Sequence, residues 1–132
     1  MERSAAAADV LKRILIIDDE ESIRLLLERI LESIPGLEVT LADGGDAALG
    51  LAAKQSYDLI LLDLLMPGVG GIEVLGRIRK QSANRKTPVI IVSVMADAPT
   101  RIACESLGVS DYIVKPIERA AVIASVQRVI GG

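Results

Sequence analysis

The chain has 132 residues, a formal net charge of −3 and 51% apolar residues. That suits one ordinary domain whose core needs neither disulfides nor a structural metal, and it leaves no basic footprint for nucleic acid. Tyr57 and Tyr112 are the sole aromatics and there is no His, which excludes a base-stacking platform, a His-based triad and a His-ligated zinc site.

Cys104 is the one cysteine. An internal disulfide is therefore excluded, a reducing compartment is expected, and a buried place in a helix is the ordinary role for such a residue. The stretch Met1–Asp9 is Ala-rich and lacks the charged-then-apolar order of a signal segment. The apolar runs Ile14–Ile17 and Leu59–Leu62 stop after four residues, against the roughly 20 that span a bilayer. A cytoplasmic protein with no membrane association and no direct nucleic-acid binding is expected.

Short apolar runs alternate with helical patterns along the chain, the signature of βα units and a parallel sheet. The first strand is expected at about Arg13–Ile17. A helix follows at about Glu20–Ser33, where Ile23, Leu26, Leu27, Ile30, Leu31 and Ile34 keep the spacing of one buried face. Pro35–Gly36 ends it. The second strand is expected at Glu38–Ala42 and its helix at Gly45–Lys54; the third at Tyr57–Leu62 with Gly71–Gln81. The fourth pair is Pro88–Val92 with Pro99–Leu107, and the fifth is Asp111–Val114 with Glu118–Ile130. Residues 1–10 read as an N-terminal extension, 11–130 as the domain and 131–132 as a tail.

Strands one, three and four are apolar on both faces, as central strands covered on both sides must be. Strand two alternates and strand five is short and mixed, so both belong at edges. A sheet order of 2-1-3-4-5 satisfies this, and right-handed crossovers then put helices on both faces, a three-layer α/β sandwich. The order reverses between strands one and three, and open sheets bind ligands beyond the carboxyl ends of their strands at such a point.

Asp18, Asp19 and Asp63 fall at those two ends. A single Asp after a strand is ordinarily a helix cap or turn residue. Three converging carboxylates instead raise one another's pKa and call for a cation. Magnesium, or manganese in its place, suits hard oxygen ligands. Asp19 and Asp63 are the expected direct ligands, with Asp18 direct or through water and the Leu65 backbone carbonyl as a further one. Asp63, at the mouth of the central strand, can attack phosphorus to form an acyl phosphate. Lys115 supplies positive charge for the transferring group, and Ser93 can hydrogen-bond one of its oxygens.

These residues, as Asp18-Asp19-Glu20, Asp63 with Met66-Pro67-Gly68, Ser93, and Lys115-Pro116, resemble the receiver domains of two-component response regulators from about Arg13 to Ile130. Asp63 lies 45 residues after Asp18, Ser93 30 after Asp63, and Lys115 22 after Ser93, close to that family's layout. The resemblance implies a flavodoxin-like (βα)5 fold and phosphotransfer to Asp63 from a sensor histidine kinase or histidine phosphotransfer protein. It implies a signalling domain, not a turnover enzyme, and a Lys115–Pro116 peptide that is commonly cis. It also implies a switch: Ser93 moves toward the phosphoryl group, Tyr112 turns inward, and the face of helix four, strand five and helix five signals to a downstream protein partner. Phosphorylation-independent scaffolding on the same fold is the alternative function.

Three positions depart from the family's habit. Val94 stands where a small residue is usual, Leu65 is apolar where many relatives are polar, and Met95 is likewise apolar. They are expected to hinder attacking water and lengthen the phosphorylated lifetime. A phosphatase of the haloacid dehalogenase type would need an Asp at position 65, and a flavin carrier would need a hydroxyl- and glycine-rich loop where Asp18–Glu21 stands. Helix five is apolar on more than one face through Val122, Ile123, Val126, Val129 and Ile130, which core packing explains, or a homodimer through helices four and five.

Overall fold

The computed structural model describes residues 11–81 and 83–131. The expected extension, 1–10, and the last residue of the tail lie outside them. The described chain alternates strand and helix five times: β1 (Lys12–Ile17), α1 (Glu21–Glu32), β2 (Leu37–Ala42), α2 (Gly45–Lys54), β3 (Leu59–Leu62), α3 (Gly71–Ile78), β4 (Val89–Ser93), α4 (Ala98–Ser106), β5 (Asp111–Val114) and α5 (Arg119–Ile130). The five strands form one parallel sheet ordered β2-β1-β3-β4-β5.

The period-two geometry of a strand divides the core into two layers. Leu15, Ile17, Ile60, Leu62, Val89 and Ile91 point to one face, where Ala48 and Ala52 of α2, Val74, Leu75 and Ile78 of α3, and Cys104 of α4 cover them. Ile14, Ile16, Leu59, Leu61, Ile90 and Val92 point to the other, against Leu27, Ile30 and Leu31 of α1 and Val122 and Val126 of α5. Burying each such side chain contributes about 1.5–3 kcal/mol. β3 and β4 are buried along their length, while β2 and β5 are half-open edges. The apolar residues of α5 go largely to the core, since Ile123, Val129 and Ile130 also pack against it.

Some boundaries differ from expectation for local reasons. β3 begins at Leu59 because the Tyr57 N–H is taken by the Asn84 side chain (2.8 Å). α3 stops at Ile78, three residues early, where the Arg79 guanidinium is drawn across to the carbonyls of Leu107 (2.8 Å) and Thr87 (2.7 Å). β4 is shifted forward by one residue: Pro88 has no N–H to give, and Ser93 joins the ladder as its carbonyl accepts from Lys115 N–H (2.9 Å).

Gly71 shows how closely the next layer approaches the site. A Cβ there would lie 2.3 Å from the Asp63 carbonyl oxygen, so only Gly lets α3 start against the end of β3. Gly68, in the loop between them, has φ +75°, a turn conformation that favours Gly.

Candidate functional site at the carboxyl edge of the sheet

β1 and β3 pair in register through Ile17 and Leu62, and the Asp63 N–H then donates to the Ile17 carbonyl (3.0 Å). The residues that follow each strand, Asp18 and Asp63, therefore emerge side by side. Both are buried, with relative exposures of 1% and 4%. Asp19 is the more open member, and one carboxylate oxygen from each of the three lies within 4.8 Å of the others. The trio expected from sequence is brought together.

Lys115, at the end of β5, reaches across the same edge. Its Nζ lies 3.0 Å from Asp18 Oδ2 and 3.5 Å from Asp63 Oδ2. The Lys115–Pro116 peptide is cis. Ser93 is fully buried at the end of β4, and its hydroxyl accepts from the Met95 N–H (3.2 Å). Tyr112 is partly buried, with its hydroxyl donating to the Met95 carbonyl (2.6 Å). Leu65 and Val94 project outward, 52% and 57% exposed, whereas Met95 packs against the core. The Leu65 N–H donates to Asp63 Oδ1 (3.3 Å).

The electrostatics follow from burial. Loss of water and the neighbouring Asp18 charge push the Asp63 carboxyl above its ordinary range, against the lowering pull of Lys115, the Leu65 N–H and the Ser93 hydroxyl. Burial works against the Lys115 ammonium, but the hydrogen bond to Asp18 and the charges of Asp63, Asp18 and Glu20 outweigh it and hold its pKa above normal. One ammonium thus faces three carboxylates, an excess of negative charge in a partly desolvated cleft. Such a donor set, all hard oxygen, fits a divalent cation such as magnesium or manganese.

Glu20, already part of the Asp18-Asp19-Glu20 run, and Arg24, which was not singled out from sequence, complete the surroundings. Glu20 comes within 3.7 Å of Lys115 Nζ, and Arg24 donates to the Asp18 carbonyl (2.8 Å), pinning the turn into α1. The signal was available in the four-residue spacing of Glu20 and Arg24, which puts both on one side of the first helical turn next to Asp18. Arg101, whose guanidinium carbon lies 4.4 Å from the Tyr112 ring centroid, carries no such local signal.

Comparison with known proteins bears on the arrangement. The family model for the response regulator receiver domain matches residues 14–127. The transcriptional regulatory protein ResD of Bacillus subtilis is 39% identical over 118 residues, 89% of this chain and 48% of that protein. YkoG of the same organism, an uncharacterized transcriptional regulatory protein, is 38% identical over 114 residues, 86% of this chain and 49% of that protein. The chain thus spans about half the length of these curated relatives. Among solved structures, the Vibrio cholerae chemotaxis protein CheY4 superposes with a TM-score of 0.84 at 29% identity, covering 90% of this chain and 98% of that one. The receiver domain of a Pseudomonas aeruginosa sensor histidine kinase, with a magnesium ion coordinated in its active-site cleft, gives a TM-score of 0.82 at 34% identity, covering 92% and 99%. With the acidic cleft at the carboxyl edge of a 2-1-3-4-5 sheet and a family match across nearly all the described residues, the chain belongs to the response regulator receiver domains.

Proposed function

We propose that Asp63 is the phosphoacceptor of this domain, receiving a phosphoryl group from a histidine kinase or phosphotransfer protein. The observation that carries this reading is the meeting of Asp63 with Asp18, Asp19 and Lys115 in one cleft. In the transfer, a carboxylate oxygen of Asp63 attacks the phosphorus of a phosphohistidine. The new P–O bond forms as the P–N bond breaks, and the imidazole nitrogen leaves with the electron pair.

Asp18, Asp19, Asp63 and the Leu65 carbonyl would hold magnesium or manganese, which when bound offsets the charge on the phosphoryl oxygens. Lys115 already sits 3.5 Å from the nucleophilic carboxylate and needs little movement to meet the new negative charge. Ser93 donates its hydroxyl to a phosphoryl oxygen. Tyr112, whose hydroxyl holds the Met95 carbonyl, passes that change to the face formed by α4, β5 and α5. Ile102 of α4 and Val114 of β5 stand 61% and 40% exposed there, apolar material for a downstream protein partner or a second copy. Leu65, Val94 and Met95 flank the cleft and slow hydrolysis of the acyl phosphate.

The test is intact-mass measurement after incubation with acetyl phosphate and magnesium. The wild type is expected to take up one phosphoryl group and Asp63→Asn none. Equal labelling of both would place the chemistry elsewhere, and labelling of neither would favour the scaffold reading.

A further inference from the structure

Arg101 lies in the first turn of α4, and that turn is tightly held. The Asp97 carboxylate accepts from the Thr100 N–H (3.1 Å) and the Thr100 hydroxyl (2.7 Å), and the Asp97 carbonyl accepts from the Arg101 N–H (3.1 Å). The cap aims Arg101 at β5, where its guanidinium stacks on the Tyr112 ring at 4.4 Å from the centroid. No carboxylate pairs with Arg101 among the described residues. The ring is its partner, in an attraction that partial burial strengthens.

From Tyr112 the contacts continue to the site. The Tyr112 hydroxyl donates to the Met95 carbonyl, and the Met95 N–H donates to Ser93 Oγ. A hydroxyl that accepts on one side is left with its own proton to give on the other, and the register that pairs Leu62 of β3 with Ile91 of β4 brings Ser93 to the same edge of the sheet as Asp63. Arg101, Tyr112, Met95 and Ser93, from a helix, two strands and a loop, thus form one line of contacts.

We propose that Arg101 is a positioning residue: through the Tyr112 ring it holds the Met95 backbone, and thereby the Ser93 hydroxyl, in the orientation that meets an incoming phosphoryl oxygen. This rests on Asp63 being the phosphoacceptor. The stack thereby favours the orientation of Ser93 that meets the phosphoryl group. Its strength sets the scale: releasing a cation–π contact of modest strength corresponds to a change of about two- to fivefold.

The experiment uses the described chain in wild-type form and as Arg101→Ala, Arg101→Lys, Tyr112→Ala and Arg101→Ala/Tyr112→Ala. Tyrosine ring-proton NMR is recorded without phosphodonor, then the labelling rate with acetyl phosphate and magnesium. With two tyrosines in the chain, the Tyr112 resonances are assigned by their loss in Tyr112→Ala. Arg101→Ala is expected to shift them and slow labelling about two- to fivefold, and Arg101→Lys to recover part of both. In the Tyr112→Ala background the Arg101 change should slow labelling no further. An unmoved Tyr112 resonance, an unchanged rate in Arg101→Ala, or the same slowing in both backgrounds overturns the proposal while leaving the phosphoacceptor reading in place. An unlabelled wild type overturns that reading and the positioning role with it.

Discussion

Asn84, at the amino edge of the sheet, and Asp63, at its carboxyl edge, are both buried polar side chains in opposite circumstances. Asn84 makes every hydrogen bond an amide can make. Its oxygen accepts from the Tyr57 N–H (2.8 Å) and the Thr87 hydroxyl (2.9 Å), and its nitrogen donates to the carbonyls of Ala52 (2.7 Å) and Gln55 (2.9 Å). Nearby, Arg79 spends its guanidinium on the carbonyls of Leu107, Gly108, Thr87 and Arg85, tying the end of α4 to the loop before β4. Asp63 sits instead beside two further carboxylates with one ammonium between them. A satisfied network stabilises; an excess of like charge is tolerated only where something arrives to neutralise it. One edge has its buried polar groups paired and the other keeps an excess of negative charge.

The sharpest separation of the two edges comes from Asp63→Asn, which should abolish phosphoryl uptake by intact mass while the circular dichroism spectrum is unchanged. Asn84→Ala should do the reverse. Removing the amide strands the Tyr57 N–H and two carbonyls at once, a loss of about 3 kcal/mol by urea titration, with the remaining folded protein still accepting phosphoryl groups. Arg79→Ala should cost about 2 kcal/mol by the same measurement, the range for charged hydrogen bonds to backbone.

Smaller effects sharpen the contrast further. In chelator, Asp63→Asn should melt at a higher temperature than the wild type, because it removes one of the crowded charges; adding magnesium should raise the wild-type melting temperature more than that of the variant. Melting curves in which the variant is the less stable in chelator would show that the carboxylate is already compensated. Val94→Ala should shorten the phosphorylated lifetime severalfold in an autodephosphorylation assay, and no change would mean that the exposed Val94 side chain leaves the water path open. Smallest is the cap of α4. Hydrogen bonds from Thr100 hold Asp97 below the ordinary carboxylate range, so its contribution is present above the unfolded-state pKa and is lost as pH falls through the folded one. Asp97→Ala should lower the melting temperature slightly at neutral pH and make no difference in strong acid.

Much of this was legible along the chain. The doubly apolar runs of β1, β3 and β4 placed those strands in the centre, the alternation of β2 placed it at an edge, and the places of Asp18, Asp63, Ser93 and Lys115 at the ends of apolar runs pointed to one cleft. Less was legible where a residue acts on a distant backbone. No local pattern singles out Asn84 or Arg79: three of the four Asn84 partners lie 27 to 32 residues away, and the Leu107 and Gly108 carbonyls just past α4 lie 28 and 29 residues from Arg79. The early stop of α3 and the late start of β3 are consequences of those same bonds.

Local pattern determined the elements, their order and the residue types offered at each strand end, because helical and strand periodicities are written in neighbouring residues and the parallel register carries successive strand ends to one edge. What the tertiary structure alone decided is which groups are charged, paired or crowded there: the lifted pKa of Asp63, the reach of Lys115 across the sheet and the stacking of Arg101 on Tyr112. Those depend on distances between residues far apart in the chain and on how much water is left between them, quantities that no local window of sequence contains.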